Sequence, residues 1–275
     1  MLAEKSLAAP IRPLVAGQKT KFRPEPYITA ATLGALLLAW YGISTSGLVP
    51  AYFVPTPRQT WLTFLRILAD GYRGHTLAEH LLASLTRVLL AFGAGALVGV
   101  PLGLVIGSST RVAAMFDWPL EFYRPLPPLA YYTLLVLWLG IDNASKVALL
   151  FLAALPPLVI ATAAGVRSVR SDYINGARSL GANRWQVFGQ VIFPACLPEI
   201  FTGLRVSIGF TYTTLVAAEM VAGVNGIGWM VLDASKFLQS DVIFVGIILM
   251  GVTGALLDAT VRFIERLVIP WRGKG

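Results

Sequence analysis

A chain of 275 residues with 56% apolar residue types and only 13% charged ones has a mean hydropathy of +0.70, too apolar for a water-soluble domain. Its 22 Lys and Arg against 14 Asp and Glu leave a net charge of +8; in so apolar a chain this excess reads as basic residues retained in cytoplasmic loops, not as a nucleic-acid surface. The single cysteine, Cys196, excludes an intrachain disulfide and a thiolate metal site, and His75 and His80 lack the i, i+4 spacing of a metal pair on one helix face.

Residues 1–26 carry five basic residues and are expected to form a cytoplasmic tail before a first helix that is retained. The charged lead is too long for a cleavable signal peptide. Apolar runs able to cross a hydrocarbon core of about 30 Å then give about six expected transmembrane helices: 27–46, 84–107, 115–140, 146–166, 201–222 and 242–261. The expected class is an all-α membrane protein, because lipid-exposed backbone must satisfy its own hydrogen bonds and no barrel-like alternation is present. With the N-terminus inside, sixteen of the Lys and Arg fall in inside segments and six outside. That asymmetry favours two cytoplasmic termini, a transmembrane domain over 27–266 and a short tail over 267–275.

Within this frame, residues 57–75 space Trp61, Phe64, Leu65 and Leu68 on one helical face, too short to cross and suited to an interfacial helix on the outer surface. The second expected span repeats glycine every four residues, Gly95, Gly99, Gly103 and Gly107. Small residues on one ridge let helix backbones approach closely in lipid, and Pro101 is expected to bend the ridge. YRPLPPLAYY (123–132) places three prolines in five positions and cannot be regular helix throughout. Such a break either lines a cavity at membrane depth or is an irregular helix entry.

NGARSLGANRWQVFGQVIFPA (175–195) is polar and arginine-bearing in a chain that is mostly apolar. Ile174, Ala177 and Leu180 share a face of a short helix ended by Gly181; Trp185, Phe188 and Ile192 resume as a second helix closed near Pro194. Helix, glycine turn, helix on the cytoplasmic side is a surface shaped for docking. Further along, Thr211, Tyr212, Thr213 and Thr214 cluster in the fifth expected span, and Tyr131 and Tyr132 follow the proline break. Tyr131, Tyr132, Thr211, Tyr212 and Thr214 are candidate path-lining hydroxyls, or they bond back to their own helices. An embedded acid–base pair from Glu219 and Arg205 fails on distance, about 21 Å along one helix at 1.5 Å per residue. Glu219 is expected instead in a structural pair or an outer gate.

The spacing N-G-A-x3-G-x9-V-x-F-P (175–194) resembles the signature E-A-A-x3-G-x9-I-x-L-P of ATP-binding cassette (ABC) importer permeases. Ala177, Gly181 and Pro194 match, while Asn175 and Gly176 depart from the usual Glu and Ala. With HLLASLTRVLLAF (80–92), EFYRPLPPLAYYTLLVLWLGID (121–142) and LPEIFTGLRVSIGFTYTTLVAAEM (197–220), the chain is similar to the nitrate, sulfonate and taurine branch, the taurine permeases above all. The resemblance implies a type I permease fold and a loop (167–200) whose Asn175, Gly176, Ala177, Leu180, Gly181 and Pro194 couple to an ATPase. It also implies a homodimer in the bacterial plasma membrane with two ATPase subunits and a periplasmic or lipid-anchored substrate-binding protein. The cargo would be a small organic sulfonate, taurine first, with nitrate, bicarbonate or a thiamine-precursor-like molecule as the alternative. No cofactor is expected in this chain. ATP would bind the partner subunit, since no G-x-x-x-x-G-K-[ST] occurs, and GVNGIG (223–228) reads as an outer turn rather than a phosphate cradle.

Overall fold

The computed structural model describes residues 25–50 and 52–271; the expected tail over 1–26 lies almost wholly outside them, as do the last four residues. The described residues form helices and no strands. In chain order these are α1 (Glu25–Thr45), α2 (Pro57–Asp70), α3 (Leu77–Ser108), α4 (Thr110–Tyr123), α5 (Pro128–Leu139), α6 (Asn143–Arg167), α7 (Ser171–Ser179) and α8 (Arg184–Val187). A π-helical segment, Phe188–Ile192, leads into α9 (Phe193–Ala222), followed by α10 (Ile227–Lys236) and α11 (Ser240–Val268). Among the described residues, α1, α3, α6, the continuous run Arg184–Ala222 and α11 are long and apolar enough to cross a membrane.

Capping boxes begin α2, α3 and α8: the side chains of Thr56, Thr76 and Asn183 accept from the backbone three residues on, and Gln59, Glu79 and Gln186 reciprocate. Each closes two of the donors that a helix start leaves open. α1 buries almost nothing, touching the rest through Trp40, which donates to the Pro55 carbonyl at 3.0 Å and stacks on Phe244. α2 turns Thr60, Thr63 and Ile67 inward and leaves Trp61, Leu65 and Leu68 outward, the two-faced pattern of a helix lying along a boundary.

The centre of the fold is α6, held between α3 and α9. A Cβ added at Gly95, Gly99, Gly103 or Gly107 would meet Ala154, Leu158, Thr162 or Val166, at 2.9, 3.1, 2.6 and 2.6 Å from the Cβ of each. The four-residue repeat on α3 therefore rides on a four-residue repeat on α6, and the two helices run parallel. α9 returns antiparallel: Gly203 abuts Ala161, Gly165 abuts Glu199 and Cys196, and Ser207 donates to the Ala154 carbonyl at 2.9 Å. In lipid, where apolar burial gives no advantage over acyl chains, such close approach is what holds helices together. Two alanine substitutions should separate packing from propensity. At Gly93, with nothing within 4 Å, Ala should raise thermal stability in detergent by about 0.5–1 kcal/mol. At Gly103, 2.8 Å from the Val159 carbonyl oxygen at the Cβ position, Ala should lower it by about 1–3 kcal/mol. Equal effects at the two sites would refute the contact.

Two sequence expectations change. The expected third span is two helices, α4 and α5, separated by residues 124–127. α5, with 12 residues, is about 18 Å long and cannot cross alone; the prolines remove the donors and φ freedom that continuity needs. The second helix of the 175–195 stretch does not close at Pro194. Helix runs unbroken from Arg184 to Ala222, because the preceding turn slips into π register, with Phe193 N–H donating to the Phe188 carbonyl. Pro194, whose missing N–H would otherwise interrupt an α-ladder, falls just after that slip.

Candidate functional site

Among the described residues, three places hold most of the residues singled out in the sequence. The first is at the break between α4 and α5, where a cleft of about 360 Å³ opens against α6 and α9. Its walls are mostly apolar, from Pro156, Ile160, Val206 and Phe210, with Tyr123, Tyr131, Thr202 and Arg124 as the polar exceptions. Tyr123 donates to Tyr131 Oη at 2.6 Å and lies 3.2 Å from the Leu152 carbonyl. The broken backbone between α4 and α5 faces this cleft.

The second lies at the end of the bundle where α3 begins and α9 ends. Glu219 is fully buried. It accepts from Arg87 Nη1 at 2.7 Å, from Ser84 Oγ at 2.8 and 3.0 Å, and from the Gly228 N–H at 2.9 Å. Arg87, itself 3% exposed, also donates to Asn143 Oδ1 at 2.8 Å and to the carbonyl and side chain of Asn225. Ser84 and His80 accept from the Ile227 and Gly226 amides. The glycine-rich segment 223–228 is thus a turn over 223–226 running into the start of α10, and its Gly226, Ile227 and Gly228 amides donate to groups of this same chain. Just beyond, Tyr72 donates to Asp233 at 2.9 Å; burial first, then the Asp233 carboxylate, pushes its phenol up to about 12, so it stays a donor at any physiological pH. Sequence reasoning placed Glu219 in a pair but missed Arg87 as its partner, 132 positions away.

The third is the corner at the opposite end. α7 buries no residue, and Leu180 and Trp185 are 90% and 83% exposed. Gly181 sits at φ +86, the Ala182 N–H donates to the Ala177 carbonyl at 3.1 Å and the Gly181 N–H to that of Arg178 at 2.9 Å. This pair of bonds is a Schellman closure, with helix geometry ending at Ser179 and Gly181 one step past the cap. Asn175, Gly176, Ala177 and Leu180 lie on this projecting piece; Gly176, Ala177, Leu180 and Pro194 line a shallow groove with Trp271.

The candidate path hydroxyls are dispersed. Thr211 bonds to the Ser207 carbonyl at 2.7 Å and Thr214 to that of Phe210 at 2.8 Å, each on its own helix. Tyr212 reaches α11 through Thr253 and the Met250 carbonyl. Tyr132 packs against Leu149 and Ala218. Of the five, Tyr131 alone reaches the cleft. Arg205 pairs with Asp258 at 3.3 Å, away from Glu219.

Residues 99–270 match the family described as binding-protein-dependent transport system inner membrane component. The chain is 42% identical over 90% of its length, and 90% of the relative's, to the taurine transport system permease protein TauC of Escherichia coli K12. It is 38% identical to the putative aliphatic sulfonates permease SsuC of Bacillus subtilis 168, covering 87% and 86% of the two chains. It is 36% identical to the nitrate import permease NrtB of Synechocystis, covering 90% and 91%. The fold is similar to a chain of the inward-facing methionine ABC transporter MetNI, with a TM-score of 0.62, 15% identity, and coverage of 70% of this chain and 95% of that one. The chain belongs to the binding-protein-dependent transport system inner membrane component family and is a permease subunit of an ABC importer, a multi-pass inner-membrane protein and not itself an enzyme.

Proposed function

We infer that this permease carries a small organic sulfonate, taurine first, inward as a homodimer, with two ATPase subunits on its α7–α8 corners and a substrate-binding protein at the Glu219 end. In this reading both termini are cytoplasmic and the cleft at the α4–α5 break belongs to the path. One observation supports the machinery above others: a single unbroken helix, Arg184–Ala222, starts at the exposed α7–α8 corner, passes the cleft at Thr202, Val206 and Phe210, and ends at the buried Glu219 cluster. Closure of an ATPase against the corner would reach the cleft and the Glu219 cluster through one continuous element. The cargo follows the 42% identity to the taurine permease. Nitrate is the second reading, favoured by the 36% identity to the nitrate permease.

The test is uptake by the complete complex, reconstituted in proteoliposomes with its binding protein and internal ATP. Labelled taurine should accumulate, excess unlabelled alkanesulfonate should suppress that uptake, and nitrate should not. Suppression by nitrate alone, with nitrate itself accumulating, would transfer the assignment to the second reading.

A further inference from the structure

The cleft at the α4–α5 break contains one cationic side chain, Arg124. Arg124 also lines a second cavity of about 540 Å³ nearer the α7 end, where Asp117, Glu121 and Arg167 complete the charged set. Asp117 and Arg167 pair with each other at 3.4 Å. Arg124 makes no ion pair among the described residues, and its side chain is exposed. It is the cap of α4, still helical in backbone with its N–H on the Leu120 carbonyl, and the proline-broken segment begins immediately after it, where the two cavities meet. The chain therefore places one uncommitted guanidinium at the junction of an apolar cleft and a polar vestibule.

We propose that Arg124 is the residue that receives the anionic group of the cargo as it passes from cleft to vestibule; this rests on the anionic-cargo reading above. An anion entering the apolar cleft loses hydration that Pro156, Ile160, Val206 and Phe210 cannot replace. A guanidinium offers planar, two-pronged donation to sulfonate or carboxylate oxygens and stays charged at any physiological pH. Because Arg124 is exposed and not buried, the contact is screened and releasable. Glu121, on the vestibule side, repels the anion from a lasting stay and favours its departure. The fully buried cation Arg87 offers no such contact, since Glu219, Asn143 and Asn225 occupy its donors.

The assay uses the complete reconstituted complex with labelled taurine, methanesulfonate and nitrate, and reads anion uptake per ATP hydrolysed. Arg124→Gln should lower that ratio by about tenfold or more, the scale of one hydrogen-bonded charge contact. Arg124→Lys should recover a substantial part of it, because a point charge remains though the fork is lost. A Gln variant with the wild-type ratio would overturn the assignment of Arg124 while leaving the anionic cargo intact. So would a Lys variant as impaired as Gln, because position rather than charge would then be at fault. A wild-type complex that moves none of the three anions would overturn the cargo reading itself, and the role of Arg124 with it.

Discussion

Arg87→Met is expected to destabilise the protein by about 3–5 kcal/mol, because it leaves the Glu219 carboxylate buried and uncompensated. Glu219 has no exposed surface; Ser84 and the Gly228 amide would remain as donors, too few to replace a guanidinium. The measurement is the thermal unfolding midpoint of the purified protein in detergent. Adding Glu219→Gln should restore most of the loss, since the charge is removed while an acceptor for the Gly228 N–H persists. A double variant as unstable as the sum of two singles would mean the groups are not coupled, and an unchanged Arg87→Met midpoint would refute the stabilising role of the buried pair. The pair joins α3 to α9 and, through Asn225 and Gly228, to the turn before α10 and the start of α10 itself. Its loss should therefore also raise leakage of small solutes through reconstituted membranes.

At the other end, Gly181→Val is expected to leave membrane insertion intact and to abolish most substrate-driven ATP hydrolysis in the assembled complex. Nothing lies within 4 Å of a Cβ at Gly181, so crowding is not the cause. The cause is φ +86, which a β-branched residue adopts at a strain on the order of 1–3 kcal/mol, about 5- to 150-fold in the population of the native corner. Relief of the strain breaks the Ala182–Ala177 and Gly181–Arg178 bonds and re-aims α7. Gly181→Asn, which tolerates the left-handed region, should retain most of the stimulated hydrolysis. Val and Asn variants with equal rates would show that the turn geometry does not matter for coupling.

The sequence spoke clearly where one local pattern determines the outcome. Long apolar runs became α3, α6, α9 and α11, and a glycine every four residues became a contact ridge. Three prolines in five became a break, and Gly181 became a left-handed cap. It was misleading where two local rules competed: Pro194 ordinarily stops a helix, but a π slip just before it absorbs the missing donor. It was silent where partners are distant. Nothing in the ridge says that α6 rather than another span receives it. Arg87 and Glu219, 132 positions apart, look like unrelated charges until α3 and α9 are packed. The hydroxyls of the fifth span were ambiguous for a different reason. Thr211 and Thr214 can bond to carbonyls four residues back wherever their helix lies, so chemical type alone could not say which way they point.

The close seating of α3 on α6, and of α6 on α9, divides the molecule into a part that resists alteration and a part that accepts it. A side chain added along either contact would have to push whole helices apart, whereas the cleft wall at 123–131 is carried by a segment whose ladder is already broken. On the proposed reading of the cleft as the cargo path, different cargoes would be accommodated by editing that short segment while the packed helices and the α7–α8 corner stay as they are. Permeases named for taurine, for aliphatic sulfonates and for nitrate all align with nearly the full length of this chain. On that reading, a shared frame with a replaceable inset would let one architecture serve several anions.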